Sequence, residues 1–334
     1  MNNINKILND TNPAHLEALA RQAQQLTRQY FGRAIGLYTP LYLSNYCASH
    51  CTYCGFHSQH KIRRIKLAPE EIRSEMKAIA ASGVQNILLL TGESPQATPL
   101  NYLIDAVKCA KEFFQGISLE IYPMTTDEYR ALYQAGADGV TIYQETYDRA
   151  RYAQVHLAGQ KKDYTFRYEA PERIGAAGMR QISIGALLGL GPLEEDLNSL
   201  YTHLRTLENK FPGAEYSISF PRLRTIKAQA FAVSTVDDAT FVKILCLTRT
   251  LFPRVGINLS TRETAALRNR LLELCVTRIS VGSKTGVGGY HDPEAVNDPQ
   301  FDVADERSTP EMIQYLKDHN LDPVFTDWRR IENT

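Results

Sequence analysis

Three of the chain's six cysteines, Cys47, Cys51 and Cys54, lie within eight residues of one another. Their spacing, C-x3-C-x2-C, suits three thiolates that bind one metal centre. Thiolates are soft ligands, so this spacing favours an iron–sulfur cluster, zinc or copper(I) over magnesium or calcium. Three sulfur ligands instead of four leave one coordination position for a substrate or cofactor. The segment therefore predicts a metal centre with a chemical role.

The composition argues against several other functions. The 334 residues include 37 acidic and 37 basic side chains, and this balance gives no electrostatic signal for nucleic acid binding. Residues 1–11 lack the apolar core of a secretory signal, and no later apolar run approaches the ~20 residues of a membrane span. We therefore expect a cytoplasmic protein. Cytosolic cysteines stay reduced, which favours metal or redox chemistry over disulfides, and isolated Cys109, Cys246 and Cys275 are interpreted as small hydrophobic residues.

The elements that must position the cysteines follow a regular order. From residue 40 onward, short apolar runs alternate with amphipathic segments of helix length, as in βαβ units. Eight strands are predicted, at residues 41–45, 86–90, 117–121, 139–142, 181–186, 216–219, 256–259 and 277–281. Because a closed (β/α)8 TIM-type barrel needs eight strands, we predict an α/β fold of this class.

Two segments flank the predicted barrel. Residues 1–35 are predicted to form an N-terminal helical extension, with a helix over 13–30 that covers the N-terminal side of the barrel. Residues 36–334 form the barrel domain, which ends in a short tail with a last helix after Pro310 and an extended end. The basic segment 61–66 is interpreted as a solvated stretch near a cofactor site. The glycine-rich segment 282–290 lacks the order GxxxxGK[ST], so nucleotide hydrolysis is not predicted.

Polar residues collect where the predicted strands end. Chemistry in barrels of this type occurs at the carboxyl ends of the strands, so these residues share one mouth. The cysteines follow the first strand, and other strand ends carry Thr91-Gly92-Glu93, Glu145 and Gly191. The far side of the mouth carries Arg222, Ser260, Arg262 and Ser280.

An arginine beside hydroxyl groups suits an amino-acid carboxylate, because the guanidinium donates two parallel hydrogen bonds. Arg222 and Arg262 are therefore candidate substrate ligands, together with Ser260 and Ser280. Each arginine could equally hold a strand end through an ordinary ion pair.

The pattern CxxxCxYCGF, over residues 47–56, resembles the signature of radical S-adenosylmethionine (SAM) enzymes. Further stretches resemble the 2-iminoacetate synthase family, the tyrosine lyases of thiamine biosynthesis; they cover residues 41–47, 51–56, 90–94, 143–147, 221–224 and 323–328. The tyrosine-cleaving maturase of iron-only hydrogenase is similar over the barrel. That enzyme carries a cysteine-bearing C-terminal domain, whereas this chain has no cysteine after Cys275. The resemblance therefore favours the lyase of thiazole formation.

The resemblance implies a [4Fe–4S] cluster and SAM as cofactors, with Cys47, Cys51 and Cys54 as the cluster ligands. Thr91-Gly92-Glu93 resembles the family's GGE element, which meets the SAM ammonium, although Thr91 replaces the first glycine. Glu145 matches an acidic position, and Arg167 a basic one that pairs with the SAM carboxylate. Tyr53 and Gly191 complete the implied cofactor-binding set. Without the resemblance, Glu145 and Arg167 would be interpreted as a surface ion pair.

The implied reaction is reductive cleavage of SAM, followed by hydrogen abstraction at the amino group of L-tyrosine. Cleavage of the Cα–Cβ bond then gives 2-iminoacetate and p-cresol. The implied partners are a flavodoxin- or ferredoxin-type electron donor and a thiazole synthase that receives the product. Tyr122 is a candidate substrate residue, and it lies with His50, His57 and His60 near the expected mouth, where the phenolic proton must be handled.

Two alternatives stay open at this point. A structural zinc site could use Cys47, Cys51, Cys54 and His57, although such sites usually pair their cysteines in two knuckles. A radical SAM lyase could also act on a different aromatic amino acid, because arginines and hydroxyl groups recognise the carboxylate and not the side chain.

Overall fold

The computed structural model describes residues 4–223, 235–292 and 298–326 of the chain. In chain order the elements are α1 Ile4–Asn9, α2 Pro13–Phe31, β1 Ala34–Ser44, β2 His50–Cys51, α3 Pro69–Ala81, β3 Asn86–Thr91, α4 Leu100–Ala110, β4 Gly116–Glu120, α5 Thr126–Ala135, β5 Gly139–Glu145, α6 Arg149–Val155, β6 His156–Ala158, a 3₁₀ turn Gln160–Lys162, α7 Tyr164–Tyr168, α8 Ala170–Ala176, β7 Gln181–Ala186, α9 Leu193–Lys210, β8 Glu215–Ser219, α10 Asp238–Leu251, β9 Gly256–Leu259, α11 Ala265–Leu274, β10 Arg278–Ser280, α12 Thr309–Asp318 and β11 Asp322–Val324.

Eight parallel strands close into a barrel. The order is β1-β3-β4-β5-β7-β8-β9-β10, and β10 pairs back with β1. This confirms the predicted (β/α)8 fold and all eight predicted strands. β1 begins at Ala34 and not at residue 41, because its first residues pair with two other strands, β10 and β11. The glycine and proline in that stretch, Gly36 and Pro40, weaken the local strand signal.

Alternate residues of the strands face opposite sides of the barrel wall. In β7, Ile182 and Ile184 are fully buried apolar residues, whereas Ser183 between them faces the interior. The Asn258 amide donates hydrogen bonds to the hydroxyls of Ser183 and Ser217, at 3.2 and 3.0 Å. This polar layer fills the lower interior, so the main cavity of the described residues lies at the carboxyl ends of the strands.

The N-terminal extension packs on the outside of the helix ring. Helix α2 lies against α10 and α11, and the Gln24 amide donates to the Glu273 carbonyl at 2.9 Å. Its last residue, Phe31, lies under the Arg249 guanidinium, which donates to carbonyls in the loops before β9 and β10. Helix α2 therefore covers mainly the outer helices α10 and α11. Only its last residue, Phe31, lies near the loops at the N-terminal side of the barrel.

The tail forms the predicted helix, α12, and a short strand, β11. β11 adds to the barrel beside β1, with Ala34 opposite Asp322 and Gly36 opposite Val324. The Asn86 side chain donates to the carbonyls of Leu37 and Phe325 and so joins the tail to β3 and β1. No helix within the described residues has the length and apolar character to cross a membrane.

We expect Arg268→Ala to destabilise the fold strongly. Arg268 is 1% exposed, pairs with Asp305 and donates to the Ser280 carbonyl at 2.6 Å, which ties α11 to the end of β10. Arg307 still pairs with Asp305 at 2.6 Å in the variant, but the buried contacts of Arg268 are lost, and we expect a loss of about 3 kcal/mol in the free energy of unfolding.

Urea denaturation of the apoprotein would measure this loss. Arg270→Ala is the matched control, because it removes an exposed arginine from the same helix. Equal midpoints for the two variants would show that the Arg268 contacts contribute nothing.

Candidate active site

The three cysteines lie on a loop that leaves the carboxyl end of β1. Cys47 follows β1, Cys51 ends β2, and Cys54 lies in the turn beyond. The short strand β2 pairs antiparallel with β6, which places Cys51 opposite His156, and the Thr52 amide donates to the Val155 carbonyl at 3.0 Å. This two-stranded ribbon outside the barrel therefore positions the middle cysteine.

Arg64 closes the cysteine loop from the other side. Its guanidinium donates to the carbonyls of Asn45 at 2.7 Å, Phe56 at 2.8 Å and His57 at 2.6 Å. These carbonyls flank the cysteines on both sides, so one side chain ties the loop into a ring. The interpretation of the basic segment 61–66 as simply solvated is therefore wrong for Arg64.

All three thiols line one small cavity of about 90 Å³, and none is in a disulfide. Burial raises the pKa of Cys47 to about 11 and raises the pKa of Cys51 and Cys54 as well. Metal binding to such thiols must release their protons. The Phe56 amide donates to the Cys54 sulfur at 3.4 Å, the kind of contact that tunes a metal-bound thiolate.

The placement of these thiols fits a cluster better than one ion. Among the described residues, no three histidine, cysteine, aspartate or glutamate side chains are placed to hold a single metal ion. Each thiolate of an iron–sulfur cluster binds a different iron, so its ligands need not converge on one point. His57, the fourth ligand of the zinc alternative, stacks between the rings of His50 and His60. The donor set therefore supports a cluster over a closed zinc site.

Gly92 brings the end of β3 against the cysteine loop. Its amide donates to the Ser44 carbonyl at 2.9 Å, and the Ala48 amide donates to the Glu93 carbonyl at 2.8 Å. A Cβ atom on Gly92 would lie 2.3 Å from the Tyr46 carbonyl oxygen, so no larger residue fits. This close approach places Thr91, Gly92 and Glu93 in the wall of the cysteine cavity.

Four buried charges surround that cavity. Arg167 on α7 pairs with Glu93 at 2.7 Å, and Lys161 pairs with Glu145 at 2.7 Å. The two cross-contacts, Lys161 with Glu93 and Arg167 with Glu145, are both 3.8 Å long. Glu145 and Arg167 are thus not a surface pair, since their side chains are 10% and 6% exposed. We call these four residues the charge network.

Glu145 reaches the charge network through an unusual backbone. Its φ of 71° lies in the left-handed region, which is uncommon for a residue with a Cβ. The register between β5 and β7 shifts between Tyr143 and Glu145, as in a β-bulge. Bulges and strained residues occur at functional sites because they re-aim a side chain, and here the bulge brings the Glu145 carboxylate to Lys161.

A larger cavity of about 570 Å³ opens beside the cysteine cavity and shares Cys54, Glu145 and Lys161 with it. This volume is in the range of small-molecule sites. Besides Cys54 and Glu145, its lining includes four more predicted residues: Tyr53, Ser260, Arg262 and Ser280. The Arg262 guanidinium lies 3.6 Å from the centre of the Phe301 ring, which fixes its plane beside the cavity.

The sequence interpretation missed two charged residues that line both cavities, Glu120 and Lys161. Glu120 ends β4, and burial together with the nearby Glu145 charge raises its pKa to about 7. A single charged residue within the apolar run 117–121 is a signal that could have found it. Lys161 lies in a 3₁₀ turn, and nothing in its local sequence distinguishes it.

Three predicted site residues lie outside both cavities. The Tyr122 hydroxyl donates to the Thr98 carbonyl at 2.6 Å, behind the barrel wall. A Cβ atom on Gly191 would lie 2.1 Å from the Thr146 hydroxyl oxygen, so this glycine permits packing and does not face the cofactor cavity. Neither residue lines either cavity, and the predictions of Tyr122 as a substrate residue and of Gly191 as a cofactor residue stay predictions.

Arg222 is the third of these residues. Its guanidinium pairs with Glu263 and, at 2.8 Å, with Asp238, and it donates to the Val236 carbonyl at 2.9 Å. These contacts tie the end of β8 to α10 and to the loop after β9, which supports the alternative that Arg222 holds a strand end; its role as a substrate ligand stays a prediction. Arg224 and residues 327–328, in two of the matched stretches, lie outside the described residues.

Comparison with known proteins finds two matching family profiles and two similar synthases. The Radical SAM superfamily profile matches residues 41–204, and the Biotin and Thiamin Synthesis associated domain matches residues 219–322. The chain is 39% identical to 2-iminoacetate synthase of Escherichia coli K12, over 96% of this chain and 85% of that protein. It is 38% identical to 2-iminoacetate synthase of Salmonella typhimurium LT2, over 94% and 83%.

A solved structure is similar as well. The X-ray structure of the FeFe-hydrogenase maturase HydG from Carboxydothermus hydrogenoformans superimposes with a TM-score of 0.89 at 35% identity. The superposition covers 96% of this chain and 74% of that one.

Replacing Cys51 with alanine should abolish metal loading. The variant removes one of three thiol ligands, so anaerobic reconstitution should give far fewer than the about four irons per chain expected of the native protein. Iron analysis and the brown absorbance would measure this.

Cys109→Ala is the control, because Cys109 is a half-buried cysteine on α4, away from the cavity. Full iron content in Cys51→Ala, or a colourless native protein with one tightly held zinc, would contradict the assignment.

Proposed function

The chain belongs to the 2-iminoacetate synthase family of radical SAM enzymes, and on that premise we propose that it cleaves the Cα–Cβ bond of L-tyrosine to give 2-iminoacetate and p-cresol. The observation that carries the proposal is the shared wall between two cavities. One holds the three cysteines and the charge network, and the other holds an arginine and two serines suited to an amino acid.

The cofactors of this family are a [4Fe–4S] cluster and SAM, which when bound would supply one-electron reductive cleavage of SAM and the hydrogen-atom abstraction that follows it. Cys47, Cys51 and Cys54 would hold the cluster. Their loop is fixed before metal binds, by the Arg64 contacts on one side and the β2–β6 ribbon on the other. Little backbone ordering is then left to oppose cluster binding.

The charge network would bind the amino-acid end of SAM. Glu93 and the backbone at Gly92 suit an ammonium group, and Arg167 suits a carboxylate through its parallel N–H groups. Glu93 and Arg167 also pair with each other, so their buried charges are balanced. Lys161 stays beside Glu145 and balances its charge. The Tyr53 hydroxyl contacts the His156 Nε2 atom at 2.8 Å, which fixes the ring. Tyr53 would cover bound SAM from the cysteine loop.

Arg262, Ser260 and Ser280 would bind the carboxylate of tyrosine. The Ser280 hydroxyl already accepts a hydrogen bond from the Thr261 amide at 3.1 Å, which orients it toward the cavity. The apolar side chains of Leu90, Leu187 and Leu223 line the same cavity and suit an aromatic ring. The polar floor of the barrel closes the opposite end, which keeps bulk water from a reactive radical.

We also propose two protein partners. A flavodoxin- or ferredoxin-type donor would supply the one electron that reductive cleavage of SAM consumes. A thiazole synthase would receive 2-iminoacetate, because an imine of this kind hydrolyses readily in water and direct transfer protects it.

Product analysis would test the proposed reaction. Anaerobic incubation of the reconstituted protein with SAM, a low-potential reductant and each aromatic amino acid in turn should give p-cresol from tyrosine alone. Indole-type products from tryptophan would instead assign a different aromatic substrate, and the absence of any cleavage product would refute the lyase assignment.

Replacing Arg262 with alanine should weaken tyrosine binding and spare SAM cleavage. Losing a charged hydrogen-bond partner of the carboxylate is expected to raise the KM for tyrosine about 10- to 100-fold. Uncoupled SAM cleavage without tyrosine should stay near the native rate, because Arg262 lies outside the cysteine cavity.

Arg222→Ala serves as the control, since it removes an arginine that holds a strand end. It should lower thermal stability and leave the KM for tyrosine near the native value. Equal damage to SAM cleavage and tyrosine turnover in Arg262→Ala would mean that Arg262 is not a substrate ligand.

A further inference from the structure

Glu120 is a charged residue in the barrel wall at the junction of the two cavities. It ends β4, its half-buried side chain lines both cavities, and across the described residues no hydrogen bond or ion pair reaches its carboxylate. Buried carboxylates are normally paired, because desolvation of a lone charge is costly. The group that satisfies Glu120 is therefore expected to be a ligand.

The charges around Glu120 indicate which ligand this is. The charge network contains two acids and two bases and is balanced internally. Arg262 and Glu120 add one positive and one negative charge to the larger cavity, and each acts electrostatically on the other. An amino acid carries the same two charges on one carbon atom. A carboxylate held by Arg262 would leave its ammonium group to meet an acid in the same cavity.

We propose that Glu120 binds the ammonium group of the amino-acid substrate and accepts one proton from it before hydrogen abstraction. This inference rests on the proposed function. One N–H bond breaks, its proton moves to a carboxylate oxygen, and the electron pair stays on nitrogen, so no oxidant or reductant is needed. The products are a neutral amine and a neutral Glu120. A neutral amine keeps a lone pair that stabilises a nitrogen radical, whereas an ammonium group has none.

The surroundings of Glu120 are consistent with proton transfer. Burial and Glu145 raise its pKa to about 7, and the nearby cations Lys161, Arg262 and Arg167 oppose this shift. The other titratable groups that face it are the hydroxyls of Tyr38, Tyr42 and Tyr143. Both protonation states are thus accessible near neutral pH, as a general base requires.

Glu120→Gln tests the proposal, because it preserves shape and removes both the charge and the base. Binding of L-tyrosine would be compared with binding of 3-(4-hydroxyphenyl)propanoate, which lacks the amine, to anaerobic protein loaded with cluster and SAM. In the variant, tyrosine should bind about 10- to 100-fold more weakly while the analogue binds as before. Tyrosine binding to the native protein should also weaken below about pH 7, where Glu120 is protonated, and the variant should lack this dependence.

A stability measurement separates this role from a structural one. Since no hydrogen bond or ion pair from the described residues reaches the Glu120 carboxylate, Glu120→Gln should unfold at the native temperature or above it. Glu75→Gln is the control, because Glu75 is a buried glutamate that accepts hydrogen bonds from the backbone amides of Tyr290 and His291. It should lose stability and keep the native preference for tyrosine over the analogue.

Two results would overturn the proposal: an unchanged tyrosine affinity in Glu120→Gln, or an equal loss for tyrosine and the analogue. Failure of the proposed function has a different signature, because the native protein would then give no p-cresol. The binding comparison needs no turnover, so the two failures are distinguishable.

Discussion

The buried contact between Arg167 and Glu93 is the interaction on which the site depends. Arg167 also donates to the Tyr143 carbonyl at 2.6 Å, so one guanidinium joins α7, the end of β3 and β5. Lys161 and Glu145 complete a network in which each charge has an opposite neighbour. Because each charge is balanced, the network can be buried at the barrel mouth. Removal of any one of the four side chains would leave a desolvated charge.

The barrel supplies the frame for that contact through its two different faces. In β7 the apolar side chains of Ile182 and Ile184 point outward to the helices, and that of Ser183 points inward. The inward layer around Asn258 is hydrogen-bonded at the bottom, so reactive groups collect at the other end. Backbone strain occurs at the same end, at Glu145. There a β-bulge interrupts the regular strand and directs the carboxylate toward the cavity.

Glu120 shows where function and stability diverge. A fold selected for stability alone would pair this carboxylate or replace it with an apolar residue. Its retention at the junction of the two cavities is understandable if the substrate supplies the missing cation. Arg262 lines the same cavity, with its guanidinium beside the Phe301 ring.

The sequence by itself determined what depends on short spacing: the three cysteines, the eight strand positions and the glycine at position 92. Spacing and periodicity are local properties of the sequence, so they can be recognised without knowledge of the fold. The tertiary structure decided what depends on direction. It turned Arg222 away toward Glu263 and Tyr122 toward Thr98, brought Lys161 to Glu145, and added the tail strand β11 to β1. A residue's type shows which contacts it can make, but only the packing of distant segments selects one of them.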